Sequence, residues 1–320
     1  MMGKAFRSIQ KTQEGGFKMG DVRFDGRVAI VTGAGGGLGR SHALVLASRG
    51  CKVVVNDLGG TLDGSGKGSA MADKVVDEIK AAGGQAVANY DGVDTVAGGQ
   101  NIVKTAVDAF GKVDIVINNA GILRDKTFAK MDEESWDKVI AVHMKGAFCV
   151  TNAAWPVMRD NAYGRVIFTS SAAGLFGNFG QANYGAAKTS MVGMMNVLKL
   201  EGAKYNIKLN TIAPIAASRM TESLMPPQIL DKLKPDFVSP LVAYLCSEDC
   251  QETGGIFSVG GGYFARIALM EGPGYAKSVA TPITLEDIRD NFDKINSLEN
   301  PRKPANISEE NQAIFAHIMK

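Results

Sequence analysis

The stretch "VAIVTGAGGGLGR" (Val28–Arg40) decides the architecture. An apolar, mostly β-branched run breaks into a turn rich in glycine, and a helical pattern follows at once. Glycine at such a turn permits a tight reversal from strand to helix and lets the backbone approach a bound group closely. The first turn of a helix also presents unpaired N–H groups and the positive end of its dipole, which together suit a pyrophosphate. A glycine-rich turn is weak evidence alone; its place between strand and helix is the context that gives it meaning. Gly33, Gly37 and Gly39 are therefore candidate cofactor contacts.

Outward from this turn, short β-branched runs alternate with longer amphipathic ones. The expected strands are "VAIVTG" (Val28–Gly33), "KVVVND" (Lys52–Asp57), "QAVANY" (Gln85–Tyr90), "VDIVINN" (Val113–Asn119), "RVIFTSS" (Arg165–Ser171), "IKLNTIAP" (Ile207–Pro214) and "GGIFSVGG" (Gly254–Gly261). Between them lie helical stretches such as "MADKVVDEIKAAG" and "GGQNIVKTAVDAFG", each closed by a glycine suited to a helix C-terminus. Strands that are apolar throughout and separated by helices indicate a parallel sheet covered on both faces. The expected fold is an α/β, doubly wound, Rossmann-like sheet of seven parallel strands over residues 23–264. Residues 1–22 are expected to be a flexible extension, and residues 265–320 a C-terminal appendage with a helix at Leu285–Ile295.

Asp57 closes the second expected strand, 18 residues beyond Gly39. A carboxylate there accepts hydrogen bonds from a ribose 2′-hydroxyl and repels a 2′-phosphate. No Lys or Arg lies within the glycine turn, where Gly36 precedes Gly37. Both features favour NAD over NADP. The following insert, "GGTLDGSGKGS" (Gly59–Ser69), contains a "GSGKGS" that invites a nucleoside-triphosphate reading. Gly68 stands where a P-loop needs Ser or Thr, and no buried strand leads directly into it.

The chemistry concentrates in "SSAAGLFGNFGQANYGAAK" (Ser170–Lys188). Tyr184 and Lys188 are spaced i, i+4 on a helical stretch and so share a face. A free tyrosine, with a pKa near ~10, is a poor base at neutral pH. A lysine ammonium at about 4 Å is worth ~4 kcal/mol at an effective dielectric near 20. That is enough to lower a phenol by about three pKa units. Ser171, at the end of the fifth strand, is placed to hold a substrate oxygen while Tyr184 moves its proton. A nucleophilic serine is the rival reading, but no GxSxG surrounds Ser171.

The set "TGAGGGLG", "NNAG" (Asn118–Gly121), Ser171 and "YGAAK" resembles the short-chain dehydrogenase/reductase family. More closely, "VVVNDLGG", "NNAGILRD", "GNFGQANY" and "TIAPIAASRMTE" are similar to the (3R)-hydroxyacyl-CoA dehydrogenase branch found in peroxisomal multifunctional enzymes of type 2. The likeness runs over residues 23–264. It implies a catalytic trio of Ser171, Tyr184 and Lys188, with Lys188 also on the nicotinamide ribose. It further implies cofactor contacts at Thr32, Leu38, Asp57, Asp91 with Gly92, Asn119, and Ala216, Ala217, Ser218 and Arg219 in the loop after the sixth strand. Where most of the family carries Asn, "VHMKGAF" places His143, whose imidazole can relay protons or serve as a buried support. The implied reaction is NAD-dependent oxidation of a (3R)-3-hydroxyacyl-CoA, with another secondary alcohol such as a hydroxysteroid, or reduction of a 3-ketoacyl group, as the alternative. A cofactor-sensing protein without catalysis is a distant third. The branch's hydratase and sterol-carrier-like domains have no room after residue 264, so a separate enoyl-CoA hydratase is the expected pathway partner.

Composition narrows the rest. Lys plus Arg number 35 and Asp plus Glu 33, which argues against a chain built for nucleic acid. No apolar run approaches the ~18 residues of a membrane span. Cys51, Cys149, Cys246 and Cys250 show no CxxC spacing, so no metal site is expected. The start "MMGKAFRSIQKTQEGGFKMG" is basic without a convincing apolar face, and "HIMK" is not an SKL-type ending; the compartment stays open. Met191, Gly193, Met194 and Met195 on one helix, with Ala141, Val142, Ala147 and Phe148 on another, suggest a homodimer contact. The Met- and Leu-rich segment 215–234 suits an acyl slot, with Arg124, Lys126 and Arg219 as candidate phosphate contacts.

Overall fold

The computed structural model describes residues 20–217 and 226–319. Strands β1 (Val28–Thr32), β2 (Lys52–Asn56), β3 (Gln85–Asn89), β4 (Ile115–Asn118), β5 (Gly164–Thr169), β6 (Ile207–Pro214) and β7 (Ile256–Gly260) form a parallel array, and β8 (Tyr263–Ile267) joins β7 antiparallel. The spatial order is 3-2-1-4-5-6-7-8. Helices α1 (Gly37–Ser48), α2 (Ala70–Ala81) and α9 (Ser239–Cys246) cover one face, and α3 (Val96–Phe110), α5 (Gly146–Asp160) and α7 (Ala182–Gly202) the other.

Two-sided burial explains why the strand centres are apolar. In β1, Ala29 and Val31 enter one core, while Val28 and Ile30 enter the opposite one. In β4, Ile115 and Ile117 face the first core and Val116 the second. Each such Ile or Val contributes ~1.5–3 kcal/mol by leaving water. Central β1 pairs with β2 in register Val28↔Lys52 and with β4 in register Ala29↔Ile115. The winding direction reverses between β1 and β4, which opens a crevice at their C-terminal ends.

The seven parallel strands are present, and the sheet has an eighth. The expected boundary at residue 264 falls inside β8. Gly261 and Gly262 both take positive φ and turn the chain back on β7 as a two-residue hairpin. The expected C-terminal helix is two short ones, α10 (Leu285–Asp290) and α11 (Phe292–Ile295), broken at Asn291. A further helix, α12 (Ile307–Ile318), starts at Asn306, whose side chain accepts the Glu309 N–H. Three more α-helices are α4 (Glu133–Ile140), α6 (Ala172–Phe176) and α8 (Pro227–Leu230), and a π-turn at Ala141–Lys145 joins α4 to α5.

Candidate active site

The glycine turn sits at the mouth of the crevice. A Cβ on Gly39 would lie 2.2 Å from the Gly33 carbonyl oxygen, so only glycine lets α1 start this close to β1. Asp57 follows β2, and both its carboxylate oxygens are fixed by backbone: Gly35 N–H donates to one at 2.8 Å, Gly59 N–H to the other at 2.7 Å. Each oxygen retains lone pairs for a ligand. Thr32 ends β1 with its hydroxyl oxygen accepting the N–H groups of Asn119 and Ala120, both at 3.0 Å. Asn119 in turn donates its side-chain amide to the Thr32 carbonyl. These residues brace the turn against β4 rather than pointing freely outward. Asp91 is clasped similarly by Asn89 and Asn101, while Gly92 lies beside it on the wall.

A single cleft of about 570 Å³ runs from Asp57, past Gly36–Leu38, Asp91–Asp94 and Asn119–Leu123, to Ser171, Tyr184 and Lys188. Its side-chain-free glycine wall and the fixed carboxylate at one end fit a dinucleotide lying across the sheet.

At the other end, Ser171 caps α6, its hydroxyl oxygen receiving the Ala173 N–H. Tyr184 lies in the first turn of α7, where buried Asn183 anchors it: Asn183 accepts the Tyr184 N–H and donates to the carbonyls of Arg124 and Ser135. Lys188, one turn on, is buried; its Nζ donates to the Thr169 carbonyl at 2.7 Å and stands 5.5 Å from the Tyr184 ring centre. Ser170 adds a second tie by donating to the Lys188 carbonyl.

His143 sits in the π-turn, edge-on to the Tyr184 ring at 5.3 Å. Its Nε2 lies within hydrogen-bond distance of both the N–H and the carbonyl of Ile122. Burial and the nearby Lys188 hold it well below the usual histidine range, so it is neutral. Its Nδ1, the Asn118 Oδ1 and the Thr169 hydroxyl have no protein partner, and all three residues line one small cavity beside Lys188. At about 10 Å³ that cavity matches one water, with three polar neighbours to hold it.

Burial dominates the proton affinities. It pushes the Tyr184 phenol up, against a lowering hydrogen bond from Ser171. It pushes Lys188 down to about 7. The lowering of Tyr184 expected from an ammonium beside it is not what the protein alone produces, because burial raises the phenol and weakens the lysine's hold on its proton. A consequence follows for stability. A lysine depressed from 10.5 to about 7 in the fold burdens the native state when charged. Above pH 7 the unfolded chain binds the extra proton, so stability rises by about 1.4 kcal/mol per pH unit toward 10.5. Urea unfolding of the protein and of Lys188→Met from pH 7 to 9.5 should show the parent gaining on the variant. Parallel curves would contradict a buried, depressed lysine.

Ala216 lines the cleft and Ala217 N–H bonds the Leu233 carbonyl, whereas Ser218 and Arg219 lie outside the described residues. Arg124 is committed to Glu134 at 2.7 Å and Lys126 to Asp132, so neither is a free phosphate contact. Four residues around the site were not singled out from the sequence: Asn183, Ser170, Thr169 and Asn118. Asn183 precedes the quoted "YGAAK" directly, and that adjacency was the only signal the sequence offered; its burial is visible only in the fold. Among the described residues no group of His, Cys, Asp and Glu is arranged for a metal, and no helix is long and apolar enough to cross a membrane.

A strand–glycine turn–helix with a Ser, Tyr and Lys facing one dinucleotide-sized cleft defines a nicotinamide-dependent oxidoreductase. The short chain dehydrogenase family model matches residues 27–228, and the chain belongs to that family. Peroxisomal multifunctional enzyme A of Dictyostelium discoideum is 55% identical over 93% of this chain and 66% of its own length. Full-length peroxisomal multifunctional enzyme type 2 of Drosophila melanogaster superposes with a TM-score of 0.79 at 38% identity, covering 92% of this chain and 50% of that one. The chain thus spans half to two thirds of these two proteins' lengths. A 7α-hydroxysteroid dehydrogenase complexed with NADH and 7-oxo glycochenodeoxycholic acid superposes with a TM-score of 0.67 at 28% identity, covering 75% and 95%.

Proposed function

We propose that the protein oxidises the 3-hydroxyl of a (3R)-3-hydroxyacyl-CoA to the 3-ketone, with NAD as the acceptor. The observation that carries this reading is the single cleft joining Asp57 to Ser171, Tyr184 and Lys188. The likeness to the multifunctional enzymes gives the substrate class. Exposed Phe176 and Ile215 on the cleft rim offer apolar surface for an acyl chain.

The residues divide the work. Ser171 donates to the substrate oxygen and holds it in reach of Tyr184. Tyr184 takes the hydroxyl proton as the carbon–hydrogen bond breaks. A bound oxidised nicotinamide supplies the hydride acceptor and a positive charge, which offsets the upward push that burial exerts on the phenol. Lys188 adds to this in its protonated fraction, held in place by Thr169. His143 keeps Ile122 and the Tyr184 ring in position, and its Nδ1 faces the water-sized cavity by which protons reach Lys188. A substrate of this kind forms when water adds across a 2-enoyl thioester, so a hydratase is the preceding activity. A homodimer is part of the proposal. Met191, Met195 and Ala147 turn inward, which leaves Gly193, Val197 and Leu200 of α7 with Phe148 of α5 as the exposed stripe.

The test is NADH formation from separate (3R) and (3S) 3-hydroxyacyl-CoA isomers, with NAD and NADP in parallel. Rapid NAD-linked turnover of the (3R) form alone is expected. Turnover of steroid alcohols but neither thioester would replace the substrate and leave the dehydrogenase.

A further inference from the structure

The insert between β2 and α2 does more than connect them. It leaves β2 at Asp57 and makes contact again on the segment following β4: Leu123 N–H donates to the Leu62 carbonyl at 3.0 Å, and Arg124 Nε to the Asp63 carbonyl at 2.9 Å. In the sheet β2 and β4 flank β1. A segment joining the ends of β2 and β4 must therefore cross the C-terminal end of β1, where the glycine turn begins. Gly60, Thr61, Leu62 and Gly64 line the same cleft as that turn.

The insert is built as a rigid tip on a narrow neck. At the tip, Thr61 N–H bonds the Ser65 carbonyl at 2.8 Å and Gly64 N–H the Thr61 carbonyl at 3.1 Å, while Asp63 holds the Ser65 N–H and hydroxyl. At the neck, Gly68 N–H bonds the Leu58 carbonyl at 2.9 Å. Gly59 there has φ +73°, and a Cβ on it would lie 2.0 Å from the Gly68 oxygen. The landing carries the two hydrogen bonds, with Gly64 beside Ile122, whose side chain a Cβ on Gly64 would meet at 3.1 Å. Few contacts on a preformed tip, with glycine at the pivot, make a unit that opens whole. The landing side is firm, because the Arg124 carbonyl is bonded by buried Asn183 next to Tyr184.

We propose that residues 59–68 are a gate over the cofactor cleft, latched by Leu62 and Asp63 on Leu123 and Arg124, and that a dinucleotide enters and leaves only when the gate lifts. This rests on the dinucleotide reading of the cleft. A gate differs from an ordinary contact in kinetics: it slows entry as well as exit.

The experiment is stopped-flow binding of NADH, followed by its own fluorescence, with dissociation measured by displacement with excess NAD. A variant lacking residues 60–67 joins Gly59 to Gly68 across the closed neck. Both its association and dissociation rates should rise tenfold or more, and Arg124→Ala should raise both about threefold. Arg124→Ala serves alone where the shortened chain does not fold. Rates within a factor of two of the parent, or a rise in dissociation alone, would overturn the gate while leaving the cofactor reading intact. A parent that binds no NADH would instead remove the cofactor reading, and the gate with it.

Discussion

Tyr184→Phe is expected to lower turnover by about three orders of magnitude while leaving NADH affinity within a factor of three, the scale general acid–base groups contribute. The substitution removes one hydroxyl and leaves the ring. Phenylalanine keeps the edge contact with His143 and the N-terminal anchoring of α7 by Asn183, so the cleft retains its shape. What vanishes is the only phenol lining the cleft among the described residues, and it interacts with Ser171. Ser171→Ala should cost less, because it removes a holding contact and leaves the proton acceptor in place. Because burial raises the phenol, the oxidation rate of the parent should climb with pH across the neutral range, and the Phe variant should lose that limb. Turnover above a tenth of the parent would show that another group takes the proton.

The fold was legible because two-sided burial makes its own sequence signal: β1, β2 and β4 run apolar over Val28–Val31, Val53–Val55 and Ile115–Ile117. β8 was not, since three of the five residues of "YFARI" are exposed and its pairing is decided by the hairpin before it. The shared face of Tyr184 and Lys188 was readable from spacing, because i, i+4 on α7 fixes one relative to the other whatever the rest of the fold does, whereas Ser171 joined them through the family resemblance. Contacts that depend on where one loop meets another could not be read in this way. Asn183 holding the Arg124 carbonyl, Thr169 receiving Lys188, and Leu62 on Leu123 each join residues far apart in the chain. The charge state of the site escaped for a related reason. Spacing placed an ammonium beside the phenol, but only the packed structure shows Lys188 buried, where desolvation brings its pKa down to about 7.

The second large effect falls on Asp57. Asp57→Ser should reduce kcat/KM with NAD by about a hundredfold, since it withdraws charge-assisted hydrogen bonds of ~1.5–3 kcal/mol each and every 1.4 kcal/mol is tenfold. Relieving the repulsion will not by itself recruit NADP. The nearest basic residue of the turn, Arg40, donates its Nε to Glu78 at 2.9 Å and is already committed. Gly36, by contrast, has room: its backbone is extended, and a Cβ there would meet only the tip of Met71 at 3.4 Å. An arginine at that position can reach a 2′-phosphate with a fork of donors. The double variant Asp57→Ser with Gly36→Arg should therefore prefer NADP, while Gly36→Arg alone, with the carboxylate still held by Gly35 and Gly59, should not. Steady-state kcat/KM for both cofactors across the four proteins decides the matter. Equal NAD efficiency in Asp57→Ser and the parent would mean that this carboxylate, fixed as it is, does not touch the ribose.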